Sequence, residues 1–388
     1  MARSKTVLVT GVAGYWGTQV ADRLVTETDF HVIGLDASRP EQGAQGLDFL
    51  QIDVRNPALV DLLRAEEVDA VCHLAFVDAL QPNEAAFDLN VMGATKVLGA
   101  CAEAGVSKVV LKSSTAVYGA RPSNSAFLTE DHPLRGSRRV GTIRDMVQIE
   151  AFCNGFCRQR AEMAVTVLRF SSIVGPAAVT PMNRYLEDGW APSLVGFDPL
   201  MQLIHEDDVV EALVHAVVND VPGPFNVAAE DALPLNKVRG LAGKRRRAVL
   251  HPFAYWGLGL PGRRSLGIGR HLPLDPDYLR YPWVADLTKM RDELDFSPRY
   301  TAEEVLLEFA EQKRMRQHLP QSAVLAQSEE RLRAIIKQRE RGREWREAQA
   351  EAVAETKPDD GARSDAEAPS DISETGAGSN VEQGGEDE

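Results

Sequence analysis

The sequence predicts an α/β protein, a Rossmann-type doubly wound parallel sheet followed by a smaller mixed α/β C-terminal lobe. Three observations predict it. Short apolar runs rich in β-branched residues alternate with amphipathic helical patterns, a glycine-spaced turn joins the first strand to the first helix, and an acidic residue closes the second strand.

The runs at 7–10, 31–36, 49–54, 70–75, 108–114 and 165–170 lack a polar face, as strands covered on both sides do. Amphipathic segments at 18–26, 58–65 and 86–104 are long enough for the right-handed crossovers that parallel strands require. After about residue 171 the alternation weakens. A Pro/Gly-rich connection (175–199), a helix (206–219), a strand (225–228) and a closing helix carrying Val305, Leu306 and Phe309 then form a smaller lobe. The expected organisation is a nucleotide-binding core over 1–170, a substrate lobe over 171–320 with segments returning to the core, a charged helix over 321–357 and a disordered acidic tail over 358–388.

The 388 residues, 44% of them hydrophobic, suffice for a large core. The formal charge of −14 argues against nucleic-acid partners, but 358–388 alone contribute −9. The acidity therefore belongs mainly to the tail. Four cysteines without a C-x-x-C pair suit a reducing compartment, and Cys153 and Cys157, lacking further ligands nearby, read as small core residues with no metal. No apolar run reaches the roughly 18 residues of a membrane span, so a cytoplasmic protein is expected.

The strongest motif is Thr10-Gly11-Val12-Ala13-Gly14-Tyr15-Trp16-Gly17, placed between a strand and a helix. Its glycines allow a tight turn and close backbone approach, so that the helix N-terminus faces a pyrophosphate. Asp36 ends the second strand, where a carboxylate accepts both ribose hydroxyls and repels a 2′-phosphate. NAD is expected in preference to NADP.

These residues resemble the extended short-chain dehydrogenase/reductase family, the NAD-dependent epimerases and dehydratases, over about residues 5–317. Further matches are Asp53-Val54, which the resemblance places at the adenine, His73-Leu74-Ala75 along the cofactor, Asn90-Val91, and Ser113-Ser114-Thr115-Ala116-Val117-Tyr118-Gly119. Gly11, Ala13, Gly14, Tyr15, Trp16, Gly17, Asp36, Asp53, Val54, Leu74, Ala75, Asn90 and Ser113 are thereby the candidate cofactor-binding residues. Leu168-Arg169-Phe170, Val174-Gly175-Pro176, His205-Glu206-Asp207-Asp208 and Phe225-Asn226-Val227 extend the likeness. The chain is also similar to a mycobacterial subgroup of UDP-glucose 4-epimerase-like proteins, through 89–94, 111–113 and 204–206.

The departures are chemical. The family uses a Tyr as general acid/base and a Lys four residues later, but aligning Glu150 and Arg169 puts Thr142 and Met146 at those positions. A Thr hydroxyl is too weak an acid and Met carries no charge. Ser114 matches the family's catalytic Ser/Thr and is retained. The arginine expected to hold a substrate diphosphate falls on Met201, and a substrate-side Asn falls on Ser172.

Lys112 shares a strand face with Ser114 and is a candidate base, or else a side chain snorkelling past the sheet edge. Asp145 faces the pocket or pairs with Arg144; Asp78 and Tyr118 are further candidates, and His205 fixes a loop. Basic residues 244–247 precede Phe253, Tyr255, Trp256 and Leu260, so segment 253–260 is either a lipid-contacting surface, making the protein membrane-peripheral, or a flap over the substrate lobe. The expected function is NAD-dependent epimerase/dehydratase-like oxidation of a sugar-derived or lipid-like hydroxyl compound, with a homodimer as a candidate assembly through the charged helix. The alternative is a catalytically silent NAD-binding sensor or scaffold.

Overall fold

A computed structural model describes residues 4–40, 46–187, 190–250 and 275–318. Its centre is a seven-stranded, wholly parallel sheet in the order β10-β6-β5-β4-β1-β2-β3. The strands are β1 (Thr6–Thr10), β2 (His31–Asp36), β3 (Asp48–Gln51), β4 (Ala70–His73), β5 (Lys108–Ser114), β6 (Ala164–Phe170) and β10 (Gly223–Val227). The order reverses between β1 and β4. Such a reversal opens a crevice beyond the carboxyl ends of the strands, where dinucleotides bind.

Helices α1 (Tyr15–Glu27) and α7 (Glu206–Val218) cover one face, while α2 (Leu59–Ala65), α4 (Gly93–Ala104) and α5 (Gly141–Gln159) cover the other. Strand alternation assigns each side chain to its layer. Val7, Val9, Cys72 and Val110 pack with Val20, Leu24, Val209 and Leu213; Leu8, Val71, Val109 and Leu111 pack with Leu63, Leu98, Cys101 and Ile149. Continuing along β5, Lys112 and Ser114 belong to the α1/α7 face and Ser113 to the α5 face. The amphipathic stretch at 86–104 is divided into α3 (Glu84–Phe87), a π-helical turn (Asp88–Met92) and α4.

The smaller lobe joins a three-stranded sheet, β11-β9-β7, to a two-stranded one, β12-β8. Its elements are β7 (Ser172–Val174), α6 (Pro181–Glu187), β8 (Trp190–Leu194), β9 (Leu200–His205), β11 (Ala232–Pro234), α8 (Leu235–Leu241) and β12 (Arg245–Val249). The stretch expected as a connection over 175–199 thus contains a helix and a strand. Their apolar residues, among them Met182, Tyr185, Leu186, Ala191 and Leu194, share one core with residues of β9, α8 and α10 (Ala302–His318). Short α9 (Thr288–Asp292) precedes α10. The segment 253–260, the charged helix and the acidic tail lie outside the described residues.

A buried polar network binds both halves of the chain. Glu150 on α5 accepts Ser113 Oγ at 2.5 Å and pairs with Arg169 of β6 at 2.6 Å, both charged side chains being only 3% exposed. Arg169 donates further to Tyr118 Oη (2.7 Å) and to the Glu130 carbonyl (2.8 Å), and Tyr118 donates to Asn226 Oδ1 of β10 (2.6 Å). Removing one member leaves a buried charge without its counter-ion. Glu150→Gln is expected to lower unfolding free energy by about 3–5 kcal/mol, measured by urea denaturation, and a loss below about 1 kcal/mol would contradict the network's role.

Candidate active site

The turn after β1 is forced by contact distances. Gly11 has φ +78°, and a Cβ there would lie 2.6 Å from Ala75 N; a Cβ on Gly17 would lie 2.1 Å from Gly11 O. No side chain fits at either place, so β1, the start of α1 and the end of β4 converge to backbone contact. Asp36 at the end of β2 secures the same turn. Its Oδ2 accepts Ala13 N at 3.0 Å and its Oδ1 accepts Ser38 N at 2.9 Å. Each carboxylate oxygen keeps a lone pair for a ribose hydroxyl.

Thr10 Oγ1 accepts the Leu74 and Ala75 amides at 3.1 and 3.3 Å, so its hydrogen points to His73 Nδ1 at 2.8 Å. His73 is fully buried, and burial pushes its pKa down to about 4. It is a neutral strut beneath the Leu74–Ala75 wall.

Several predicted residues are held in ways the sequence did not indicate. Asp53 pairs with Arg55 at 2.6 Å, which brings its carboxyl down to about 2, and Arg55 also engages Asp88. The Asp53 carboxylate, expected at the adenine, is thus taken up by Arg55, and neighbouring Val54 is buried. Ser113, expected at the cofactor, instead points its hydroxyl at Glu150 because alternation places it on the α5 face. Asn90 spends its amide on both polar groups of Val77 (2.9 and 3.0 Å) and on Asp145 (3.0 Å).

Of the two roles open to Asp145, the structure shows the pair with Arg144, buried and not on the surface, which corrects the catalytic one: Oδ1 accepts Arg144 Nε and Nη2 at 2.8 and 2.6 Å, and Oδ2 accepts Asn90. Its carboxylate, 1% exposed, joins α5 to the π-helical turn. Tyr118 belongs to the Glu150–Arg169 network, and its phenol is pushed up to about 12 by burial. His205 caps α7 through Asp207 N (3.2 Å), with its ring 4.1 Å from that of Tyr300.

Thr142 and Met146 occupy the Tyr and Lys positions on α5. Thr142 Oγ1 accepts Ala79 N at 2.8 Å and donates to Ala79 O at 3.3 Å, which closes its hydroxyl on the loop after β4. Met146 is 8% exposed and apolar. The one carboxylate of this helix turn, Asp145, is already engaged by Arg144 and Asn90.

Across the sheet, Lys112 Nζ lies 5.1 Å from the centre of the Trp16 ring, at the start of α1. Burial lowers the Lys112 pKa, and Asp78 partly offsets that shift. No hydrogen-bond acceptor holds the amine among the described residues. Two positions along, half-buried Ser114 Oγ accepts Ala116 N at 3.2 Å, and its hydroxyl donates to no acceptor among the described residues. The β5 alternation thus presents an amine of lowered basicity and a hydroxyl on one face, beside the glycine turn.

Sequence reasoning had no assignment for Glu206. It accepts Ala177 N and Ala178 N (3.0 and 2.6 Å) and hydrogen-bonds the Tyr15 phenol, whose pKa rises through burial and through this carboxylate. One side chain therefore ties the glycine turn to the smaller lobe. Its place in the His205–Asp208 run was the sole signal.

Residues 7–228 match the model of the NAD dependent epimerase/dehydratase family. The chain belongs to that family. It is 34% identical over 313 residues to an uncharacterized protein of Mycobacterium tuberculosis (strain H37Rv), covering 77% of this chain and 82% of that one. UDP-glucose 4-epimerase 4 of Oryza sativa subsp. japonica is 32% identical over 190 residues, 44% of this chain and 50% of the relative. Among solved structures it is similar in fold to MoeE5 in complex with UDP-glucuronic acid and NAD (TM-score 0.62, 23% identity, 80% of this chain and 99% of that one). The Thermotoga maritima UDP-glucose 4-epimerase with UDP-glucose gives a TM-score of 0.59 at 20% identity, covering 81% and 100%. NAD is the cofactor of the family, and the side-chain-free cradle at Gly11 and Gly17 with Asp36 fits it. No metal-binding cluster and no helix capable of crossing a membrane occur among the described residues.

Two outcomes follow from this geometry. Asp36→Ala removes both the clamp on Ala13 and the ribose acceptor, and should weaken NAD binding about tenfold or more by calorimetric titration; unchanged affinity would remove Asp36 from the site. The unfolded chain protonates His73 near pH 6.5 and the folded chain only near pH 4. Stability therefore falls as pH drops between those values, by up to about 3 kcal/mol from this residue, and levels off below. His73→Asn should flatten that slope in pH-dependent denaturation.

Proposed function

We propose that this family member is an NAD-dependent oxidoreductase of epimerase/dehydratase type that oxidises a hydroxyl group on a small sugar-derived or lipid-like molecule, with Lys112 and Ser114 in place of the Tyr/Lys pair. The observation that carries the reading is their shared face on β5 beside Trp16. Bound NAD would supply a hydride acceptor. Gly11, Gly14 and Gly17 let backbone amides approach its pyrophosphate, and Asp36 accepts its ribose hydroxyls. Ser114 Oγ–H donates to the substrate oxygen and orients it. Lys112, driven toward the neutral amine by burial, takes the proton leaving that oxygen; the Trp16 ring and Asp78 then stabilise the ammonium.

A second reading, NAD binding without turnover, draws support from the Thr142 hydroxyl closed on Ala79 and from apolar Met146. Purified protein, NAD and a fractionated extract of sugar nucleotides and lipids, followed by NADH absorbance, separate the two. Lys112→Met is expected to lower turnover roughly 10²–10⁴-fold with NAD affinity changed only a few-fold. The wild-type rate should climb with pH toward a midpoint below the ordinary lysine value, because the neutral amine is the active form. NAD binding with no turnover on any fraction would favour the second reading; failure to bind NAD would overturn both.

A further inference from the structure

Strand β5 carries two lysines on one face, and their surroundings differ. Lys108, at the start of the strand, is 4% exposed and fully engaged at the end of α7. Its Nζ donates to Val217 O at 3.0 Å, to Asn219 O, and to Asp220 Oδ1 at 3.0 Å. That is how a buried ammonium is ordinarily held. Lys112, one turn of the alternation further toward the carboxyl end, has no such cage. Its Nζ faces the Trp16 ring at 5.1 Å and donates to no acceptor among the described residues, while burial lowers its basicity. A desolvated lysine whose nitrogen lone pair is free is a nucleophile toward carbonyl carbon.

The other groups that such an addition needs stand around the amine. Ser114 lies about 7 Å along the same strand face, and its hydroxyl, which donates to no acceptor among the described residues, can polarise a carbonyl oxygen. Asp78 acts on Lys112 by its charge and is exposed, so it exchanges protons with water. Its loop is fixed on both sides of it, Val77 by Asn90 (2.9 and 3.0 Å) and Ala79 by Thr142 (2.8 Å). The face of Trp16 attracts a cation and therefore suits a protonated imine as well as it suits the ammonium.

We propose that Lys112 condenses with an aldehyde or ketone to form an imine, so that the carbonyl compound is held covalently on β5. This deepens the function proposed above and rests on it, because the compound captured is the one left when the hydroxyl beside Ser114 loses its hydride. The ammonium formed in that oxidation first returns its proton through Asp78 to water. The neutral amine then adds its lone pair to the carbonyl carbon, and the carbonyl π pair moves to oxygen. Ser114 passes a proton to that oxygen and recovers one from the nitrogen, which gives a carbinolamine. The nitrogen lone pair next forms the C=N bond as the hydroxyl leaves, and the remaining N–H proton departs with it as water. Addition of water in the reverse sense frees the compound, and no oxidant or reductant is consumed.

The test incubates NAD-saturated full-length protein with dihydroxyacetone or cyclohexanone in the presence of sodium cyanoborohydride. Oxidised cofactor keeps the protein from reducing the ketone itself, and the borohydride fixes any imine as a secondary amine. Peptide mass spectrometry then reads a gain at each lysine equal to the mass of the ketone less one oxygen. Lys112 should be labelled about tenfold or more faster than exposed Lys96. The ketone that labels faster tells a sugar-derived compound from an apolar one. Ser114→Ala should slow labelling of Lys112 about tenfold or more and leave that of Lys96 unchanged, with circular dichroism and melting temperature establishing that the variant folds. Labelling of Lys112 no faster than of Lys96 with both ketones, or a Lys112 rate unchanged in Ser114→Ala, would overturn the proposal. NADH formation measured in parallel separates the two readings. Turnover without fast labelling overturns the imine alone, whereas fast labelling with no NADH from any fraction supports the imine and counts against the oxidation.

Discussion

The ion pair between Glu150 and Arg169 is the constraint around which the rest of the molecule is arranged. Two charges held almost wholly out of water are stable only while each lone pair and N–H finds a partner. Glu150 therefore takes Ser113, and Arg169 takes Tyr118 and the Glu130 carbonyl, with Asn226 completing the set. Those partners come from β5, α5, β10 and the segments after β5. The pair thus fixes where β5 ends and where its next residues, including Ser114, are presented.

This also explains how α5 keeps its position after losing the family's two catalytic side chains. The helix is located by Glu150 on Arg169, by Asp145 on Asn90 and by Thr142 on Ala79. None of these contacts requires Tyr or Lys. The scaffold survives the replacement because structural anchoring and proton transfer reside on different residues of the same helix. On β5, strand alternation separates Lys112 and Ser114 from Ser113, so the side chains proposed for proton transfer play no part in that anchoring.

The central sheet was legible because its signal is local. Apolar runs of strand length, helical periodicity between them, and glycines whose missing side chains leave room for backbone contact all lie within a few residues of one another. The strands at 31–36 and 108–114 were read to the residue, and those of the small lobe were not. β8 and α6 fell inside a presumed connection, since their short apolar stretches find a core only with elements that come later in the chain, such as α8, β9 and α10. Site residues divide likewise. Backbone-determined positions such as Gly11 and Gly17 could be read from sequence, whereas Ser113 meets Glu150 across 37 residues and Asn90 meets Asp145 across 55. A carboxylate's role depends on what reaches it, and residue type is silent on that.

By itself, then, the sequence determined the doubly wound core, the glycine turn with Asp36, and the absence of Tyr and Lys from the usual helix positions, because each is a property of spacing or residue identity along the chain. Only the tertiary structure decided that Asp145 is an anchor, that Lys112 rests on Trp16, and that Glu206 links the turn to the smaller lobe. These are facts about which side chains meet after strands distant in sequence become neighbours, and the free energy of a buried charge or hydrogen bond is set by those meetings.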